Sequence, residues 1–174
     1  MTRVVIVAPY DTSWPTKYHL EVNRVKKVLG DEIISAHHIG STSIPGMRAK
    51  PIIDIMLEVR DISRIDQYNQ QMMDLGYEPR GELGIHGRRY FSREDPKDVR
   101  THHVHAYQTG DISLVRHLAF RDFMIAHPID AEAYGKLKEE LAEKFRDDVD
   151  GYIAGKESYV DAKEKEAVTW YLNR

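Results

Sequence analysis

A turn of small polar residues is the part of this sequence best equipped for chemistry. It begins at Gly40-Ser41 and continues through Thr42 and Ser43. Glycine lets a backbone approach a phosphate closely, and serine and threonine hydroxyls add hydrogen-bond donors. Lys50, a little further along the chain, can neutralise phosphate charge. The turn therefore indicates a phosphate-binding loop, although glycine- and serine-rich turns are also common on protein surfaces.

Asp54 lies in a run of residues, 51–59, that is almost continuously apolar. Such a run is typical of a central strand that is covered on both faces. An ionised carboxylate in a buried strand needs a partner, because its desolvation costs several kcal/mol. A divalent metal shared with a substrate phosphate, such as Mg²⁺, is one such partner. The alternative is that Asp54 lies at the open end of the strand and caps a neighbouring loop.

The hydrophobic pattern predicts the elements that position these residues. Ser13 as a cap, Pro15 in the first turn and Gly30 as a stop bound a first helix. After it, the pattern predicts strand 33–39, strand 51–59, helix 63–75, a hairpin of 77–83 with 88–93, strand 101–108, and helices 112–126, 130–146 and 156–172.

The last third of the sequence differs from the rest in carrying only helical patterns. Lysines mixed among glutamates in this part, Lys138 among them, are typical of solvated helix faces. Nothing resembling a linker separates the helices from the preceding strands. The sequence therefore predicts a single α/β (α+β) domain over 1–174, with a body of about 1–110 and a helical part of about 111–174.

The composition excludes several classes of protein. The 174 residues include no cysteine, so disulfides, thiolate metal sites and cysteine nucleophiles are ruled out, as fits a reducing cytoplasm. A formal net charge of −3 argues against a nucleic-acid or membrane-surface protein. No apolar run has transmembrane length, and segment 4–8 is too short for a signal peptide. We expect a cytoplasmic protein with neither a membrane nor a nucleic acid as its partner.

Two segments strongly resemble the GrpB family: HIGSTSIPG at 38–46 and KPIIDI at 50–55. Further similar segments, in the same order, are PYD at 9–11, GRRYF at 87–91, THHVH at 101–105 and RDF at 121–123. The resemblance implies a nucleotidyltransferase fold, in which helices flank a mixed central sheet. It also implies a nucleotide or another phosphorylated small molecule as the partner, and nucleotidyl or phosphoryl transfer as the candidate activity.

The sequence departs from this fold at its second acidic position. Nucleotidyltransferases carry two carboxylates two residues apart on a strand, where both face the same metal ions. Asp54 matches the first, but Met56 takes the place of the second, and a thioether does not hold Mg²⁺. Glu58 faces the same way but lies roughly 13 Å along the strand, too far to share a metal with Asp54. The usual two-metal mechanism is therefore in doubt.

A neighbouring strand normally supplies a third acidic residue, and the matching strand here has His103 and His105. Residues two apart on a strand share a face, so both imidazoles are expected beside Asp54. This set prefers Zn²⁺, Mn²⁺ or Fe²⁺ to Mg²⁺, and we predict the three residues as catalytic and metal-binding. Alternatively, either histidine acts as a general base, binds phosphate as a cation, or only pairs with backbone or carboxylate groups.

Arg88 and Arg89 are expected on opposite faces of the predicted hairpin. A planar guanidinium binds two oxygens of a phosphate at once, so we predict Arg88 as a phosphate clamp and Arg89 as a solvated charge.

Two hypotheses about function follow. The first is an enzyme that transfers a nucleotidyl or phosphoryl group. The second is a catalytically degenerate module that binds a nucleotide or phosphorylated metabolite without turnover. Met56 favours the second, whereas the paired histidines favour the first.

Overall fold

The computed structural model describes residues 4–174, so the first three residues of the predicted domain lie outside the described part. The predicted order of helices and strands is confirmed. The elements are α1 Trp14–Leu29, β1 Ile33–Ile39, β2 Ile53–Val59, α2 Asn69–Asp74, β3 Tyr77–Pro79, β4 Arg88–Glu94, β5 Arg100–Gln108, α3 Ile112–Ala126, α4 Pro128–Lys144 and α5 Val149–Leu172. Short stretches of 3-10 helix cover Gly30–Glu32, Ser41–Ser43 and Ile62–Tyr68.

The bounds differ from the prediction at several helix starts. Ser13 precedes α1 but makes no side-chain cap, and the Asp11 carboxylate instead accepts from the Ser13 N–H at 2.8 Å. The helix predicted over 63–75 is mostly 3-10 helix, with α2 as its last part. The last helix begins at Val149, well before the predicted start, because Asp148 caps it by accepting from Gly151 at 3.0 Å.

Five strands form one mixed sheet in the order β1-β2-β5-β4-β3. β2 and β5 pair in parallel, and every other neighbouring pair is antiparallel. β2 lies between two strands and is covered on both faces, which explains its continuous apolar sequence. The mixed central sheet flanked by helices is therefore confirmed. Among residues 4–174, no helix is both long and apolar enough to cross a bilayer.

The two faces of the sheet pack against different helices, because alternate residues of a strand point in opposite directions. Ile55 and its same-face neighbours on β2 pack against Trp14 and the rest of α1 in the main core. Met56, on the other face, packs against Leu114 of α3. Asp54 shares the face of Met56. The chemistry-bearing residues of β2 therefore point toward the C-terminal helices.

Glu21 links α1 to the far edge of the sheet through a buried network. The side chain is 5% exposed and accepts from Tyr77 Oη at 2.8 Å, from Arg93 Nη1 at 3.1 Å and from Arg24 Nη1 at 3.0 Å. Burial alone would raise the pKa of Glu21, but the Tyr77 hydroxyl and the nearby positive charges outweigh it and hold the pKa below its usual value. The folded protein therefore keeps Glu21 ionised.

Glu21→Gln is expected to lower the free energy of unfolding by about 2–3 kcal/mol at pH 7, because two arginines lose their shared charge partner. The stabilisation from the ionised form is complete above the unfolded pKa of Glu21, near 4.5, and is lost as the pH falls through the lower pKa of the folded state. The difference from wild type should therefore shrink below pH 4.5. Urea unfolding at pH 7 and pH 4 measures both effects.

Glu78→Gln is the matched control, since Glu78 pairs with Arg80 at 3.0 Å but is 67% exposed. We expect it to cost less than about 1 kcal/mol. Equal losses in the two variants would contradict a special role for the Glu21 network.

Candidate functional site

The parallel pairing of β2 with β5 builds the floor of the site. In its register Asp54 lies opposite His103 and Met56 lies opposite His105, so all four side chains share one face. β1 ends at Ile39, which pairs with Asp54, so the following Gly-Ser turn lies directly against the carboxylate. The structure thus brings together the predicted turn, aspartate and histidines.

Both histidines bind the same oxygen of Asp54. His103 Nδ1 lies 3.0 Å from Asp54 Oδ1, and His105 Nε2 lies 3.1 Å from it. The three side chains retain only 20%, 11% and 23% of their exposure for His103, His105 and Asp54. One ligand atom from each residue lies within 4.8 Å of the others, close enough for all three to hold one ion.

The charge state of Asp54 follows from these contacts. Burial alone would raise the pKa of Asp54, but the hydrogen bonds from His103 and His105 outweigh it and hold the pKa well below its usual range. An ionised carboxylate only accepts hydrogen bonds, so both histidine nitrogens that face it carry a proton. Asp54 is therefore the anion around which the site is organised.

Arg100 determines the tautomer of His103. Its Nη1 lies 3.2 Å from His103 Nε2, and a guanidinium only donates, so Nε2 accepts and the ring proton is on Nδ1. Arg100 also donates to Glu94 at 3.2 Å. No sequence pattern marked Arg100, because its position at the start of β5 says nothing about contact with a ring three residues on.

His105 is held in its neutral form. Burial lowers the pKa of His105, and the Asp54 carboxylate only partly opposes that effect. Its Nε2 donates to Asp54, while Nδ1 is buried and has no hydrogen-bond partner within the described part of the chain. Nε2 is therefore the ring nitrogen that faces the carboxylate, or a metal in its place, and Nδ1 makes no hydrogen bond to the described residues.

Gly40 is the point of closest approach between the turn and the carboxylate. Its φ is +73°, and a Cβ added there would lie 2.6 Å from Asp54 Oδ2. An L side chain rarely adopts such a φ, and here it would also collide with the functional carboxylate. Both the conformation and the contact therefore require glycine.

The hydroxyls of the turn mostly bind the protein itself. Thr42 is buried, donates to the Ile52 carbonyl at 3.2 Å and contacts His38 Nε2 at 2.9 Å. Ser43 donates its hydroxyl to the Gly40 carbonyl. Ser41 instead lies near Tyr134 on α4, whose pKa it lowers against the effect of burial. The side chains predicted to bind phosphate thus fix the shape of the turn, and Ser41 joins it to the C-terminal helices.

The two predicted cations of the site have aromatic and backbone contacts. Lys50 Nζ lies 4.7 Å from the centroid of the Tyr152 ring on α5. Arg88 is buried, donates to the carbonyls of Glu82 at 3.2 Å and Leu83 at 3.1 Å, and lies 4.7 Å from the Tyr90 ring. Arg88 lies on the same face of the sheet as the histidines, but its guanidinium donates its hydrogen bonds to the backbone of the hairpin loop.

The interpretation of Arg89 as a solvated charge is wrong. Its Nε lies 2.7 Å from Asp66 Oδ1, so it ties β4 to the 3-10 helix on the opposite face of the sheet. The sequence could not show this pair, because the two residues are distant along the chain.

The second acidic position of the fold is closed to metals. Met56 is fully buried and packs against Ile39 and Tyr107. Glu58 accepts from Ser35 at 2.8 Å and from Thr109 at 2.7 Å, and so belongs to a separate hydrogen-bond group. Within residues 4–174, the histidines and carboxylates that can share an ion are therefore those of one single-metal site.

A cavity of about 470 Å³ lies near the start of β2 and β5, and neither Asp54 nor the two histidines line it. Its walls include Lys50, Ile52, Glu94 and Arg100, and Arg100 in turn contacts His103. Its volume is within the range that small-molecule sites occupy.

Lys138 of α4 is a further residue that the sequence misplaced. It was expected on a solvated helix face, but it is 1% exposed and packs over the Tyr134 ring at 4.6 Å. A lysine surrounded by glutamates in the sequence gives no sign that its own face of the helix is buried. Its contact with Tyr134, which lies near Ser41, connects it to the Gly-Ser turn indirectly.

Comparisons with known proteins agree with this structure. The GrpB protein family model matches residues 4–166. The UPF0157 protein YqkA of Bacillus subtilis is 46% identical over 172 residues, which are 99% of this chain and 50% of that protein. A dephospho-CoA kinase of Mycolicibacterium paratuberculosis is 26% identical over 95% of this chain and 46% of its own length. The chain thus spans about half the length of these two relatives.

A solved structure matches over nearly the whole chain. The crystal structure of the conserved protein GrpB from Enterococcus faecalis has a TM-score of 0.92 and 39% identity, and covers 96% of this chain and 99% of that one. In this chain the Gly-Ser turn lies between β1 and β2, and β5 is parallel to β2. With this fold and the match over residues 4–166, the chain belongs to the GrpB protein family.

Proposed function

We propose that this chain binds a nucleotide or another phosphorylated small molecule against the Gly40 turn. One divalent metal ion is held by Asp54, His103 and His105, and a nucleotidyl or phosphoryl group is transferred there. The observation that carries the proposal is the convergence of both imidazoles on one ionised carboxylate, 3.0 and 3.1 Å away, on the face that the turn borders.

The donor set fits a metal ion of intermediate softness. Two imidazole nitrogens and a carboxylate suit Zn²⁺, Mn²⁺ or Fe²⁺, whereas Mg²⁺ prefers oxygen ligands throughout. With Nδ1 of His103 on a metal, its ring proton would move to Nε2, which could then no longer accept from Arg100. Glu94 already binds the same guanidinium at 3.2 Å and would remain its partner.

Each residue of the proposed site has a different role. Gly40 lets backbone and ligand approach Asp54 without a side chain between them. Asp54 supplies negative charge that the histidines keep ionised. A bound metal ion would polarise a phosphoryl oxygen and neutralise charge that develops on it. Neutral His105 is able to ligate the ion or to take a proton from an attacking hydroxyl.

A binding module without turnover is the second candidate function, and Met56 favours it. The residue that replaces the second carboxylate is fully buried in an apolar cluster, so nothing at that position can hold a second ion. In addition, Asp54 Oδ1 already accepts hydrogen bonds from both histidines. A nucleotide could then be bound by the turn and its surroundings alone.

Asp54→Asn is expected to weaken Zn²⁺ or Mn²⁺ binding at least tenfold, because the amide is a far poorer ligand than the carboxylate. Isothermal titration calorimetry of the wild type and the variant measures this change. Glu58→Gln is the matched control, since it removes a carboxylate from the same face of the same strand but outside the cluster. Equal loss in both variants would show a general effect of charge and count against the site.

Turnover separates the two candidate functions. We expect the metal-loaded wild type to transfer the nucleotidyl group of a nucleoside triphosphate to water, which releases a nucleoside monophosphate and pyrophosphate. Asp54→Asn and His103→Ala should abolish that release. A coupled pyrophosphate assay, run beside a thermal-shift titration of the nucleotide, reports catalysis and binding separately. Nucleotide binding that persists in Asp54→Asn, with no release from the wild type, would establish the binding module instead.

Gly40→Ala is expected to reduce metal affinity at least tenfold, since its Cβ would displace Asp54 Oδ2 from 2.6 Å. Gly46→Ala is its control: Gly46 has a φ of +80°, but nothing lies within 4 Å of the added Cβ. Both variants should lose about 1–2 kcal/mol of stability from the backbone conformation. Only Gly40→Ala should affect the metal, as measured by calorimetry. A similar loss in Gly46→Ala would refute the contact as the cause.

A further inference from the structure

The proposed metal site does not account for Lys138, a buried lysine of α4. Its side chain is 1% exposed, and its Nζ has no hydrogen-bond partner anywhere in residues 4–174. A buried ammonium group without a partner is costly, because it loses its hydration and gains nothing in exchange. Such a group needs either a reason to be neutral or a ligand that completes its surroundings.

The charges that reach Lys138 make its position less favourable still. They come from Lys156 of α5 and from Arg48, and both are positive. Arg48 is itself paired, with Glu132 at 3.1 Å and Glu139 at 2.8 Å. Burial first, and then these two cations, lower the pKa of Lys138 to about 7. The Tyr134 ring, 4.6 Å away, offers a cation–π contact but no negative charge.

Lys138 is connected to the Gly-Ser turn through Tyr134. It packs over the Tyr134 ring, and Ser41 lies near enough to Tyr134 to lower its pKa against the effect of burial. Lys50 and Lys156 both lie over the Tyr152 ring, 4.7 and 5.7 Å from its centroid. Burial lowers the pKa of Lys156, and the negative charge of Asp54 partly opposes that effect. Lys156 thus links the other two lysines, since it shares the Tyr152 ring with Lys50 and its charge acts on Lys138. We call Lys50, Lys138 and Lys156 the lysine cluster.

We propose that this lysine cluster is the binding site for the phosphate groups of the ligand. The inference rests on the proposed function for the existence of a phosphorylated ligand, and it adds where the phosphates lie. Each ammonium group donates up to three hydrogen bonds to phosphoryl oxygens. A phosphate end carrying two or more negative charges supplies the anion that Lys138 lacks, while the rest of the ligand extends toward Asp54.

A consequence follows for the ligand-free protein. An unpaired buried ammonium destabilises the fold, so its replacement by an apolar side chain of similar length should stabilise it. Lys138→Met is therefore expected to raise the melting temperature of the ligand-free protein while it weakens phosphate binding. A purely structural lysine would show neither the rise nor the combination of the two.

The experiment uses the full chain in EDTA, so that the result does not depend on the metal. Tripolyphosphate, ATP, inorganic phosphate and adenosine are titrated by thermal shift and calorimetry. We expect wild type to bind tripolyphosphate and ATP but not adenosine, and Lys138→Met to bind them at least tenfold more weakly with a higher starting melting temperature. Lys156→Met should also weaken binding, and it provides a second variant if Lys138→Met does not fold.

Lys136→Met is the matched control, because Lys136 lies on the same helix but is exposed. It should change neither binding nor the melting temperature. Similar affinities for ATP and tripolyphosphate would support recognition of the phosphate chain alone, and tighter binding of ATP would support a nucleotide whose phosphates the cluster holds.

Two results would overturn the inference. They are unchanged tripolyphosphate binding in both Lys138→Met and Lys156→Met, and no binding of any phosphate compound to wild type. The metal titration with Asp54→Asn is independent of both results, so it tests the proposed metal site separately from the phosphate site.

Discussion

The ionised carboxylate of Asp54, held between a backbone turn and two imidazoles, is the constraint on which the rest of the structure depends. A charge in that position needs donors on one side and an unobstructed approach on the other. His103 and His105 supply the donors, at 3.0 and 3.1 Å. Gly40 supplies the open side, because any Cβ there would collide with Oδ2. The strands, the turn and the face that the helices cover are all arranged around this requirement.

The register of β2 with β5 is what allows one carboxylate to meet two histidines. Asp54 pairs with His103, and His105 lies two residues on, on the same face. A slip of one residue would present His102 and Val104 in their place and turn the functional rings to the opposite face. The apolar residues that alternate with Asp54 on β2 resist such a slip, because they are buried in the main core. The packing of apolar residues on one face of β2 therefore keeps Asp54 and the two histidines aligned on the other face.

Strand periodicity explains which parts of the site could be predicted from the sequence. The i and i+2 spacing of His103 and His105, and the place of Asp54 in an apolar strand, fix the faces of these side chains before any tertiary contact is known. Gly40 was recognisable as a turn residue, and Met56 as a substitution that removes a metal ligand. These features depend on local geometry, which a single sequence carries.

Contacts between distant elements explain what could not be predicted. Arg89 pairs with Asp66, and Lys138 is buried by elements that its own helix does not specify. In each case the residue type fits an exposed position equally well. The hydroxyls of Thr42 and Ser43 were predicted to bind phosphate from their residue types, but both donate to backbone carbonyls of the protein.

The long sequence separation between Asp54 and its partners has a consequence for how the chain acquires its site. The hydrogen bonds that hold the carboxylate span 49 and 51 residues, and β3 and β4 lie between. During synthesis the aspartate emerges from the ribosome well before either histidine. β1 and β2 can form their hairpin-like pair first, but the charge at the end of that pair stays hydrated until β5 docks. Closure of the sheet and completion of the site are thus one folding event, and a nascent chain that ends before β5 holds neither.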